Sequence, residues 1–242
     1  MRKTNLFSII AAVGIFVAAT PVIADVEVNY ADFNPYASYG GNYMACPIAE
    51  VVNTGEKPVR LQDICFNVED SENRLMKTID MCSCVPCVLS PGESGYLFKQ
   101  NTQVSDIANP FDCHIVPQFS EQEYAEENYR CELSDVAMNI LNGDKYEVVG
   151  RATNTSGSTI YSVQPYTIWF DTNKRCIGVS VARRLNEMQP NEQQAFTIEA
   201  RTAFMEDQAK IATYKIIVEE IPRVVITPPP VHIPYSEMEN AE

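Results

Sequence analysis

Between Tyr146 and Thr153 apolar and polar positions change places residue by residue: Tyr146, Val148, Gly150 and Ala152 alternate with Glu147, Val149, Arg151 and Thr153. Phe196 and Ile198 alternate with Thr197 and Glu199 in the same way, as do Tyr214, Ile216 and Val218 with Lys215, Ile217 and Glu219. Successive side chains of a strand point to opposite faces, so each stretch predicts a strand with one buried row and one row toward solvent. Turn-forming runs fall between these stretches: Asn53-Thr54-Gly55-Glu56-Lys57-Pro58, Ser90-Pro91-Gly92, Asn154-Thr155-Ser156-Gly157 and Gln189-Pro190-Asn191. Helical turns are expected only around 122–128 and 205–210. The expected class is all-β, from antiparallel, half-exposed strands.

The pattern also repeats on a longer scale. Glu50-Val51-Val52-Asn53-Thr54-Gly55 is answered 101 residues later by Arg151-Ala152-Thr153-Asn154-Thr155-Ser156. Phe66 to Asp70 is answered by Thr167 to Asp171 at the same offset, Leu89-Ser90-Pro91-Gly92-Glu93 by Met188-Gln189-Pro190-Asn191-Glu192 at 99, and His114-Ile115-Val116 by Lys215-Ile216-Ile217 at 101. Landmarks in one order at near-constant spacing predict a duplicated unit of roughly 100 residues, the size of a small β-sandwich. The expected division is a first unit over 25–122 and a second over 123–226, joined by a solvated acidic linker containing Glu121, Glu123, Glu126 and Glu127, across which few contacts pass.

These residues carry a resemblance. The run Tyr146 to Ser156, then Trp169-Phe170-Asp171, Cys176-Ile177-Gly178 and Met188 to Glu192, resembles the FxLYD domain family of bacterial exported proteins. The first copy keeps Phe66, Asp70 and the full Leu89 to Glu93 turn but has Glu69 where an aromatic is usual. The second keeps Phe170-Asp171 but has Thr167 for the leading Phe and Asn191 for Gly. The resemblance implies two tandem immunoglobulin-like sandwiches and, because its motifs are structural, no particular ligand.

The ends read differently. Met1-Arg2-Lys3, an apolar run from Leu6 to Ala19, Thr20-Pro21 and then Val22-Ile23-Ala24 have the form of a signal peptide over 1–24, cleaved after Ala24. The run is shorter than the roughly 20 residues of a membrane span, so no span is expected in the mature chain. The segment 227–242, with Thr227-Pro228-Pro229-Pro230 and an acidic end, reads as a Pro-rich tail or as a ligand for an aromatic groove. The chain has 18 Lys and Arg against 32 Asp and Glu, a formal charge of −14. Loss of Arg2 and Lys3 with the leader makes it −16. Nucleic acid is a poor partner for such a chain, since phosphate binding rests on clustered bases.

Eight cysteines remain: Cys46, Cys65, Cys82, Cys84, Cys87, Cys113, Cys131 and Cys176. An even count in an exported chain reads first as disulfides, with Cys131 joined to Cys176 and the other six paired within the first unit. Two other readings stand beside it. Cys84-Val85-Pro86-Cys87 has the spacing of a redox pair, though a strand and turn follow where a thiolate-stabilising helix belongs. Three of the clustered sulfurs with Cys113 or His114 have the ligand chemistry for zinc. The only histidines are His114 and His232, and Cys113 and His114, adjacent on a strand, face opposite ways. Asn154-Thr155-Ser156 has the form of a glycosylation acceptor, but reads better as a turn. Trp169, the sole Trp, is out of phase with Ile168 and Phe170 and is either core or an exposed recognition residue. The whole predicts a non-catalytic exported binding or scaffolding protein of the bacterial envelope, without cofactor, whose partner is an envelope or extracellular protein. The alternative is a thiol-disulfide or metal-handling accessory protein using Cys82, Cys84 and Cys87.

Overall fold

The computed structural model describes residues 26–124, 131–141, 145–200 and 210–220. The leader, the tail 227–242, the middle of the joint and most of the segment 205–210 lie outside them. The class is all-β with antiparallel sheets, as the period-two pattern requires.

The first half runs β1 (Val26–Asp32), β2 (Pro35–Ala37), β3 (Tyr43–Ala45), β4 (Ile48–Asn53), β5 (Val59–Glu69), β6 (Leu75–Ile79), β7 (Ser83–Val85), β8 (Val88–Leu89), β9 (Ser94–Phe98), β10 (Thr102–Gln103) and β11 (His114–Glu123). The second runs β12 (Cys131–Leu141), β13 (Lys145–Asn154), β14 (Ile160–Phe170), β15 (Cys176–Val181), β16 (Leu185–Met188), β17 (Gln193–Glu199) and β18 (Thr213–Glu220). Sheet I has the order β1-β4-β9-β7, and sheet II the order β11-β5-β6, with β8 also on β5. Sheet III is β12-β13-β17, and sheet IV is β15-β14-β16, with β18 also on β14. A small ribbon, β10-β3-β2, flanks the first half.

Sheets I and II face each other in a sandwich-like arrangement across Ala49, Val51, Leu97, Phe66, Val68 and Ile115, all buried. Sheets III and IV do so across Ala152, Phe196, Ile198, Val163, Met188 and Val218. Gly150 lies under the Phe196 ring, where a Cβ would fall 2.6 Å from Cζ, so only glycine lets that ring into the sheet.

The repeat is present atom by atom at its turns. Asn53 is fully buried; its Nδ2 donates to the carbonyls of Lys57 (2.7 Å) and Leu89 (2.9 Å), and its Oδ1 accepts from Gly55 N–H. Asn154, also fully buried, donates to Ser158 and Met188 carbonyls, each at 2.9 Å, and accepts from Ser156 N–H. This is turn chemistry at a site closed to a glycan. Asp70 and Asp171 each accept two backbone N–H groups in a tight turn, at Glu72 and Arg74 and at Asn173 and Arg175. Replacing Asn154 with Ala strands two buried carbonyls and an N–H, and the expected loss is on the order of 2–4 kcal/mol. Chemical denaturation measures it, with Ser156→Ala, outside the core, as the mild control.

Two expectations fail here. In the row of β18 assigned to solvent, Ile217 and Glu219 are instead covered by the first half, while Lys215 stays exposed. Ile168, Val179 and Ile217 of sheet IV pack with Ile48, Val85, Tyr96 and Phe98 of sheet I. The four sheets are therefore stacked II, I, IV, III, and the halves meet through this cluster. The second failure concerns the joint: Glu121 and Glu123 belong to β11 and pair with Leu61 and Val59, while Glu123 also meets Lys57 at 3.0 Å. The helical turn expected from residue 122 is strand through Glu123.

Candidate functional site

Cys87, Cys176, Glu219, Tyr30 and the Asp32–Arg175 pair meet where sheet I faces sheet IV. The segment from Cys82 to Cys87 leaves sheet I at β7 and enters sheet II at β8, so the chain changes sheets at Pro86-Cys87. Cys84 points into the core between sheets I and II and its thiol donates to the Pro86 carbonyl at 2.9 Å. Cys87 turns toward the second half: its N–H donates to Glu219 Oε1 of β18 at 2.6 Å.

Around this bond the surface between the halves is polar at its margins and apolar in the middle. Tyr30 of β1 accepts the Cys176 N–H at 2.6 Å, Arg175 holds both carboxylate oxygens of Asp32 at 2.8 Å, and Gln100 donates to the Val179 carbonyl at 2.7 Å. The Tyr96 and Phe170 rings meet edge-on at 5.6 Å. Beside the Asp32 and Arg175 pair lies a cleft of about 310 Å³, lined by Asn34, Asp171, Cys176, Ile177 and Lys210.

Burial governs the thiols. Loss of hydration disfavours a thiolate, and it pushes Cys82, Cys87 and Cys131 up to about 11, Cys176 up to about 12, and Cys84 well above the ordinary thiol value. Glu219 and Cys87 reinforce this at Cys84 by adding negative charge nearby. Burial likewise raises the Glu219 carboxyl above its ordinary 4.5, against the Cys87 N–H, the Cys87 thiol and Arg60, which pull it down. A carboxyl whose folded value is raised favours the protonated state in the fold. Its contribution is therefore fully present below 4.5 and is lost as pH rises through the folded value. Glu219→Gln is accordingly expected to be more stable than the parent at pH 8 and equal to it below 4.5, by urea midpoints at the two pH values. A parent more stable at pH 8 would mean that the charged carboxylate is net favourable there.

No disulfide joins any of Cys46, Cys65, Cys82, Cys84, Cys87, Cys113, Cys131 and Cys176 in the structure, which gives the disulfide expectation no support. The pairing of Cys131 with Cys176 fails on distance. Cys131 lies beside Glu220, which is in register with Val163, whereas Cys176 is in register with Phe170. Seven residues along β14 separate those points, roughly 23 Å, and a disulfide spans a Cα separation of at most about 7 Å. In the first half the thiols serve as donors instead: Cys82 to the Ile79 carbonyl, Cys84 to that of Pro86 and Cys113 to that of Asn109. Cys46 sits against Asn101 and beside Tyr36, and Cys65 is a neighbour of Cys82.

Nor do the zinc candidates converge. Cys87 is bonded opposite Leu61 of β5, while His114 lies opposite Glu69 of the same strand. Eight residues of strand put them roughly 26 Å apart. Among the described residues no three His, Cys, Asp or Glu gather as metal ligands.

Trp169 is core, which corrects its candidacy as a recognition residue. It is fully buried with Val148, Ala200 and Ile211, its Nε1 donates to Ser180 Oγ at 2.8 Å, and its ring lies 6.1 Å from that of Tyr214. Ile168, one residue away, faces sheet I. Both faces of β14 are covered, so being out of phase with Ile168 does not expose Trp169. Glu219, Tyr30 and the Asp32–Arg175 pair were not found from the sequence. One signal was available: apolar Ile217 on a row assigned to solvent marks a strand covered on both sides.

Comparison with protein-family models and with curated proteins finds no match for this chain. Among the described residues no helix is long and apolar enough to cross a membrane.

Proposed function

We propose that the protein is a non-catalytic exported binding or scaffolding protein of the bacterial envelope or extracellular space, built of two tandem immunoglobulin-like units of the FxLYD kind, with a protein as its partner. One observation carries the reading: the side chains with most chemistry to offer are spent on packing. Cys84 and Trp169 are interior, Cys176 and Glu219 lie between the halves, and the buried thiols are raised far above the pH at which a thiolate would be available. The leader signature and the formal charge of −14 support export and a neutral or cationic partner.

The test is retention of the purified mature protein on envelope preparations and whole cells, beside the Cys84→Ser/Cys87→Ser variant. Saturable retention that the folded variant keeps supports a binding module. A variant that folds normally but loses both retention and thiol exchange would favour the accessory role of the Cys82, Cys84 and Cys87 cluster.

A further inference from the structure

β12 is one of the two outer strands of sheet III, eleven residues long, and among the described residues it pairs only with β13. Leu133, Met138 and Ile140 are in register with Ala152, Val148 and Tyr146, the row of β13 that faces the core. The apolar face therefore continues onto β12, where Cys131 and Met138 pack at the margin of the core while Leu133 is 38% and Ile140 60% exposed, with Val136 of the bulge at 38%.

An edge strand presents a row of N–H and C=O groups able to pair with another chain, and proteins ordinarily blunt such edges with bulges and charge. On β12 that protection is confined to one end. The register slips between Ser134 and Ala137, Asp135 has a φ of 52°, and the charged residues are Glu132 and Asp135. From 137 to 141 the strand is regular and uncharged, Ala-Met-Asn-Ile-Leu.

The sign of the charge selects the occupant. β12 has two acids and no base, in a chain of formal charge −14. Asp135 is 73% exposed and meets Arg151 only at 3.4 Å, so its carboxylate is accessible to a second cation. A second copy of this chain would bring like charge to the edge, whereas a strand with Lys or Arg would be drawn to it.

We propose that the edge of β12 that is unpaired among the described residues, over 137–141 and reaching Asp135, receives an extended segment of a partner protein in which apolar residues alternate with Lys or Arg, added as a further strand of sheet III. Backbone pairing supplies the attachment, Leu133 and Ile140 meet the partner's apolar side chains, and Glu132 and Asp135 meet its bases. This rests on the binding-module reading and names the surface and the chemistry of the partner.

The experiment titrates the mature protein with two synthetic nine-residue peptides, one alternating Val with Lys and the other Val with Glu, and follows backbone amides by NMR and hydrogen exchange. The Lys peptide is expected to protect amides within 137–141 and to bind at least tenfold more tightly than the Glu peptide, with the preference shrinking at about 0.5 M salt. Ile140→Lys, at an exposed position, should keep the melting temperature and lose at least tenfold in Lys-peptide binding. Asp135→Lys should reverse the preference. Unprotected amides over 137–141, or unchanged binding by Ile140→Lys, would overturn the proposal. So would a concentration-dependent dimer abolished by Ile140→Lys, which would make a second copy the occupant. Envelope retention separates the two readings: if Ile140→Lys keeps it, this edge is not the partner site although the protein is a binder. If the parent shows no retention, the binder reading fails even where the peptide preference holds.

Discussion

Trp169→Ala is expected to destabilise the second half by about 3–5 kcal/mol, the usual cost of removing a large aromatic from a packed interior. The ring is fully enclosed, and its loss also leaves Ser180 Oγ without the indole N–H. Trp169→Phe, which keeps most of the volume and loses the hydrogen bond, should cost less than half as much. Urea unfolding followed by far-ultraviolet circular dichroism gives both values, because the signal does not depend on the residue replaced. A loss below about 1 kcal/mol for the alanine variant would contradict the placement of Trp169 in the core and return it to the surface.

The second large effect is expected at the neighbouring residue, for a different reason. Ile168→Asp places a carboxylate among Ile48, Val85, Tyr96 and Phe98, where it has no cationic partner. A charge buried without compensation costs about 3–5 kcal/mol. At a pH above the raised pKa of the new carboxyl, where protonation no longer relieves the charge, the halves can hydrate it by separating. The parent should therefore resist proteolysis as one body, and the variant should show a larger radius of gyration by small-angle scattering with faster cleavage between the halves. If the parent itself is cleaved rapidly into two stable fragments, the stacking of sheet I on sheet IV does not hold them in solution.

These two neighbours show how far the sequence can be read. The alternation in β13, β17 and β18 identifies strands and the inward row, since Val148, Ala152, Phe196, Ile198 and Val218 are all buried. The turns were legible too, because Asn53 and Asn154 do the same work 101 residues apart. The outward row was not. A period of two distinguishes the faces of a strand but does not say whether water or another sheet covers the second face. For β18 it is another sheet, and with that misreading went Ile217 and Glu219. The pairing of Cys131 with Cys176 was misread for a related reason. Count and compartment suggest bridges, but whether two sulfurs meet depends on strand register, and register sets Cys131 and Cys176 at opposite ends of β14.

If the cysteine cluster is structural, the pH dependence of thiol reactivity in native, reduced protein shows it most directly. Alkylation of Cys84 and Cys87, followed by mass spectrometry between pH 6 and 10, should be slow at neutral pH, because burial keeps both as thiols and holds Cys87 up to about 11. Labelling should match the rate of global unfolding for Cys84 and rise steeply only under alkaline conditions for Cys87, with no reduction of an insulin disulfide by the native protein. Rapid labelling of either residue near pH 7, accompanied by insulin reduction, would contradict the account and place the protein's activity in the pair.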